Sequence, residues 1–143
     1  MTILLVVNAA SAWCMTGIGW FVQSVHYPLF PYARGEDWTE FHAAHSQRTA
    51  LVVGIPWAAQ GFTALAILVA QPAGVSWWLP WVAVGLAGIS VVGTLAFALP
   101  AHSQLASDFS EAPHRRLLRT GWIRTLAWTG AGVVGSVMVI QHT

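Results

Sequence analysis

The sequence predicts an all-α integral membrane protein, an antiparallel four-helix bundle with both termini on the same side. Three observations carry that prediction. The 143 residues are 56% hydrophobic and only 8% charged, against about 25% charged in a soluble domain. Four apolar segments, joined by short connections, are each long enough to cross the ~30 Å hydrocarbon core of a bilayer. The six arginines, at 34, 48, 115, 116, 119 and 124, fall at the first and third connections, and there is no lysine. One bundle uses residues 1–143 and leaves no room for a second domain.

The first helix is expected over about residues 3–26. Residues 1–33 contain no Asp, Glu, Lys or Arg. Ala10-Ser11-Ala12 resembles a signal cleavage site, but no basic residue precedes it and the apolar run continues beyond, so the segment reads as a retained span. Asn8, Thr16, Gly19, Gln23 and His26 share one face. Tyr27-Pro-Leu-Phe-Pro31 is expected to stop the helix, since proline lacks the N–H and crowds the preceding turn.

The second helix is expected over 37–70, with Asp37 at an N-cap position and Pro56 as a kink. At about 100° per residue, Trp38, His42, His45, Thr49, Val52, Pro56 and Gln60 form one stripe running from water into the membrane. Lipid cannot satisfy an imidazole or an amide, so this stripe must face other helices. Residues 71–76 make a short uncharged turn. The third helix, 77–99, opens with Trp77, Trp78 and Trp81 at interfacial depth and closes at Pro100 and His102. Trp38 and Trp122 read as further members of that belt, whereas Trp20, Trp57 and Trp128 lie deeper, as core or pocket wall.

Pro113 is placed to start the fourth helix, 114–140. Ala131, Gly132, Gly135 and Ser136 on that helix permit close contact within the bundle or between protomers of a homo-oligomer. The positive-inside rule puts the two arginine-bearing connections in the cytoplasm and both termini outside, in a multi-pass protein of the inner membrane. A single cysteine, Cys14, excludes a disulfide framework and reads as inert packing. Beyond the lipid bilayer, nothing in the composition points to a macromolecular partner such as nucleic acid.

The chemistry-bearing residues gather at one end. His26 ends the first helix, His42 and His45 begin the second, His102 ends the third and His114 begins the fourth; only His142 lies opposite. His42 and His45, three apart, share a face, and His26 and His102 complete the set. Imidazoles without an inward carboxylate suit Zn, Cu or Fe, or a haem, and suit Mg or Ca poorly; Glu40 points about 160° from His42. Hydrogen bonding to an organic ligand, and structural caps on helix-end carbonyls, are the other readings of the same residues.

Arg124 lies about a turn inside the fourth helix, where an unpaired arginine costs ~1–3 kcal/mol. Arg48 and Arg124 read either as a clamp on a phenolate, quinone or carboxylate or as anchors to lipid phosphate. Gln23 and Gln60 either line a small-molecule cavity or pack helices together, and Asn8 reads as packing.

Trp20-Phe-Val-Gln-Ser-Val-His-Tyr-Pro-Leu-Phe30, Phe41-His-Ala-Ala-His-Ser-Gln-Arg-Thr49 and Gly121-Trp-Ile-Arg-Thr125 resemble strings in small bacterial four-helix membrane proteins of mostly unassigned function. Those proteins are distantly similar to the anthrone-oxygenase-like family. The resemblance implies a membrane enzyme that oxygenates a phenolic substrate, with His26, His42, His45 and His102 the positions that carry over. The functional expectation is a metal- or haem-binding, redox or oxygenase-like enzyme acting on a small hydrophobic phenolic or quinone-like substrate. The alternative is a non-catalytic binding or accessory protein.

Overall fold

The computed structural model describes all 143 residues and contains helices and connections but no strand. Four helical segments are long and apolar enough to cross a membrane: α1 (Thr2–Ala33), α2 (Trp38–Ala70), α3 (Leu79–Leu105) and α4 (Glu111–His142). Against the expected boundaries, α1 and α3 run on past their prolines, and α4 starts three residues before His114. The reason lies in how the prolines are accommodated.

In α1 a regular α-helix to Phe21 widens to a π-turn over Val22–His26, then tightens to 3-10 turns over Tyr27–Ala33. Pro28 sits in the first 3-10 turn, where a missing N–H costs little. Pro31 cannot supply the N–H that the Tyr27 carbonyl would receive in an α-helix. His114 Nε2 on α4 lies 2.8 Å from that carbonyl and donates to it instead. The expected stop at residues 27–31 is thus a change of helix type.

The same solution recurs in α3. Pro100 removes the α-helical donor to the Ala96 carbonyl, the chain widens to a π-turn over Thr94–Ala98, and Arg116 Nη2 reaches Ala96 O at 3.3 Å. The helix then continues from Leu99 to Leu105 and carries His102 within it. By contrast α2 is a continuous α-helix through Pro56. Asp37 occupies its N-cap but makes no side-chain cap bond. It ends at Gln71, whose φ of 43° turns the chain into the left-handed region just before Pro72.

Two buried clusters hold the bundle. Leu5, Ala64, Ile67, Leu79, Ala83 and Met138 join the start of α1, the end of α2, the start of α3 and the end of α4. Tyr27, Phe30, Trp38, Ala98, Ala101, Leu105 and Leu117 join the opposite helix ends.

Between the clusters, the small residues of α4 face α1. A Cβ on Gly132 would lie 2.8 Å from the Trp13 ring and one on Gly135 3.0 Å from Ala9 Cα, while Trp13 Nε1 donates to Ser136 Oγ at 2.9 Å. That stripe therefore works inside the bundle. Asn8 Nδ2 donates to Gln60 O at 3.1 Å and Thr63 Oγ1 at 2.9 Å, tying α1 to α2.

Three residue expectations are corrected. Trp20, expected as core or pocket wall, is exposed and donates to Thr129 Oγ1 at 3.1 Å. Cys14 is exposed on the outer face of α1 and is not packed. Trp38 is 1% exposed and donates to Leu105 O at 2.7 Å, a core residue with a partnered indole and no part of an interfacial belt. Trp77, Trp78, Trp81 and Trp122 are exposed, as a belt requires.

Candidate functional site

Each histidine of the site owes its position to the helix end that carries it. His26 closes the π-turn of α1, His42 and His45 stand in the first turns of α2, and His102 follows the π-turn of α3. A π-turn adds a residue to one helical turn and so re-aims everything after it; such turns recur at functional sites. Here two helices carry one, each leading to a histidine of the same cluster.

The four imidazoles meet in two close pairs. His26 Nε2 lies 2.7 Å from His45 Nδ1, and His42 Nε2 lies 3.2 Å from His102 Nδ1. The pairs are joined by His45 and His102, whose rings stack with centroids 5.5 Å apart. Tyr27 Oη is 3.1 Å from His102 Nε2, and Thr49 Oγ1 is 3.2 Å from His45 Nδ1. His42 and His45 are buried.

Phe30, wholly buried, forms the floor of the cluster. It presents its ring edge-on to His26 and His45, with centroids 5.5 and 5.1 Å away. On its other side it stacks against His114.

Each nitrogen-to-nitrogen contact needs one protonated and one bare nitrogen, so the tautomers are mutually dependent. His26 Nδ1, His42 Nδ1 and His45 Nε2 make no hydrogen bond within the chain. No carboxylate enters. Glu40 is exposed, and the one ion pair, Arg115 with Glu111 at 3.6 Å, lies on the outside of α4.

Two imidazoles on one tetrahedral ion, each about 2.0–2.1 Å from it, stand roughly 3.3 Å apart. His42 and His102, at 3.2 Å, come near that spacing, whereas His26 and His45, at 2.7 Å, stand closer, at hydrogen-bond distance. No three of the side chains bring donor atoms to a common point fit for a metal ion, so three- or four-fold ligation requires imidazole rotation about χ2.

Beneath the cluster lies an interior cavity of about 90 Å³, bounded by Met15, Gln23, Tyr27, Thr49, Arg124 and Trp128 among others. Arg124 lays its stem on Gly93, where a Cβ would come 2.8 Å from its Cγ, and holds its guanidinium 5.9 Å from the Trp128 ring centroid. It has no carboxylate partner. Trp128 Nε1 is buried without a hydrogen-bond partner. Gln23 is fixed by donation to Leu118 O on α4, and its amide fills the space a Cβ on Gly121 would take.

The remaining expected site residues lie elsewhere. Arg48 is exposed and borders a groove of about 400 Å³ on the outside of the bundle, between α1 and α2, with His26, Phe21, Val22, Val52 and Val53. Gln60 belongs to a third space, between α2 and α3. The two arginines therefore do not form one clamp, and the two glutamines do not share one cavity.

The structure adds Tyr27 and Phe30 to the neighbourhood and sets His114 against both of them. The adjacency of Tyr27 and Phe30 to His26 in an aromatic-rich string was the available signal, masked by the prolines around them. Comparison with family models, curated proteins and solved structures gives no match to this chain.

Proposed function

We propose that this chain is a multi-pass inner-membrane protein with its bundle antiparallel and its histidine end facing the cytoplasm. In this reading His26, His42, His45 and His102 bind a transition-metal ion, Zn, Cu or Fe, in a redox or oxygenase-like enzyme acting on a small hydrophobic phenolic or quinone-like substrate. The observation that carries the reading is the gathering of four imidazoles from three helices into pairs at 2.7 and 3.2 Å, with no carboxylate among them. Neutral nitrogen donors of this kind select late first-row ions. The adjoining cavity of about 90 Å³ has no room for a porphyrin, which favours an ion over haem.

A bound ion would supply Lewis-acid or redox chemistry; the chain's own residues supply access and charge. The outer groove opens toward lipid along Phe21, Val22, Val52 and Val53 and ends at His26 and Arg48. An aromatic substrate entering from the bilayer meets an imidazole able to accept a phenolic proton and a guanidinium able to stabilise the resulting oxyanion. Arg124 does the same from inside, for a group that reaches the small cavity.

One observation favours a second reading, a non-catalytic binding or accessory protein. Tyr27 and Thr49 extend a hydrogen-bonded network in which each of the four imidazoles has at least one partner without any ion. Metal analysis and an optical spectrum on protein purified in detergent without chelator, beside His42→Ala/His45→Ala, separate the two. The expected result is about one ion per chain, lost in the double variant. A metal-free wild type would move the assignment to the second reading.

A further inference from the structure

All five acidic residues, Glu36, Asp37, Glu40, Asp108 and Glu111, are exposed, and so are five of the six arginines. Arg124 is the exception. It is half-buried, five residues or about 8 Å further along α4 than Arg119, and it is the only charged residue on the wall of the interior cavity of about 90 Å³. Its stem is seated against Gly93 of α3 and its guanidinium stands over the Trp128 ring. The side chain is thereby held between helices.

The chain offers this charge no counter-ion. Its arginine contacts to oxygen are those of Arg116 with Ala96 O and of Arg115 with Glu111, so the N–H groups of Arg124 have no acceptor. Nor are they sealed in, since the fully enclosed polar atoms without partners are Gln60 Oε1 and Trp128 Nε1 alone. The other polar groups on the wall are committed elsewhere. Thr94 Oγ1, Thr125 Oγ1 and Gln23 Nε2 donate to the carbonyls of Ser90, Gly121 and Leu118, while Thr49 and Tyr27 bond to His45 and His102. An arginine inside a membrane bundle is costly unless paired. With every carboxylate of the chain on the surface, the pairing group comes from solution.

We infer that Arg124 and this cavity bind a small monovalent oxyanion of the formate, bicarbonate or nitrate class. Two oxygens in one plane match two parallel N–H groups of the guanidinium fork. The volume, about 90 Å³, is well below the ~300–1,000 Å³ of pockets that take drug-sized molecules, which limits the ion to a few atoms. With a single cation on the wall, a multivalent ion has no second partner. The site rests on the same free Arg124 charge as the oxyanion contact proposed above, and it needs no metal at the histidines.

The test is thermal unfolding of the full chain in uncharged detergent, at fixed pH and ionic strength, as gluconate is replaced stepwise by formate or by nitrate. Gluconate is too large for the cavity, whereas an ion that binds the native state raises the unfolding temperature with its concentration. A rise is expected with both small ions. Arg124→Gln should lose it and Arg119→Gln, at the surface, should keep it. Thr94→Leu, which keeps the arginine and fills the cavity, should lose it too and decides the matter if Arg124→Gln does not fold. No rise over gluconate, or a rise that persists in Arg124→Gln or Thr94→Leu, would overturn the proposal by leaving only a bulk salt effect. Metal content is measured on the same preparations. Metal-free protein that still shows the rise supports the anion site while removing the metal reading, and metal-loaded protein without the rise does the reverse.

Discussion

His114 caps a helix-end carbonyl, one of the roles open to a histidine at its position. It is one of five histidines at the same helix ends, yet it ligates nothing in the cluster: it donates to the Tyr27 carbonyl that Pro31 leaves without an α-helical donor. His114→Ala should therefore destabilise the protein by about 1–3 kcal/mol, the cost of an unsatisfied buried acceptor, with metal content unchanged. In a Pro31→Ala background, residue 31 regains an N–H, and the same substitution should cost less. Thermal unfolding of the four proteins in this cycle measures the coupling; equal costs in both backgrounds would remove the proline from the explanation. The histidine convergence was legible because each of His26, His42, His45 and His102 lies at a helix end that topology brings together. Tyr27 was not, because the residues around it read as a stop.

Glycine has opposite meanings on two helices, and that contrast belongs to the element scale. On α4, Gly132 and Gly135 are where α1 comes closest, with the Trp13 ring and Ala9 already at contact distance from a notional Cβ. On α2, Gly54 and Gly61 face open space. Gly135→Leu should force α1 and α4 apart and cost roughly 1–3 kcal/mol or more. Gly54→Ala should be neutral or stabilising by up to ~1 kcal/mol, since it adds helix propensity without a clash. Unfolding in mixed detergent micelles, followed by circular dichroism, distinguishes them. The sequence showed small residues at four-residue spacing on α4 but not which partner they met, because spacing alone does not tell a face that packs inward from one that packs outward. Likewise the π-turns at Val22–His26 and Thr94–Ala98 have no local signature; they are set by the prolines together with donors from α4.

For the whole molecule, the four-span architecture was readable from apolar length alone. The separation of Arg48 from Arg124, and of Gln23 from Gln60, was not, since only packing decides which space each one borders. Sidedness is open to direct measurement. In a Cys14→Ser background, a single cysteine at Ala73 should react with an impermeant maleimide added outside intact cells, and one at Ser107 only after permeabilisation. The reverse pattern would place the histidine end outside. One arrangement bears on how the protein is made. The carbonyls that proline leaves without an α-helical donor in α1 and α3 are met by side chains of α4, His114 at Tyr27 and Arg116 at Ala96. Because α4 leaves the ribosome after the other three, the histidines of the first three helices can be inserted and still unarranged. The site is then the final thing the nascent chain builds, set only when its last helix docks.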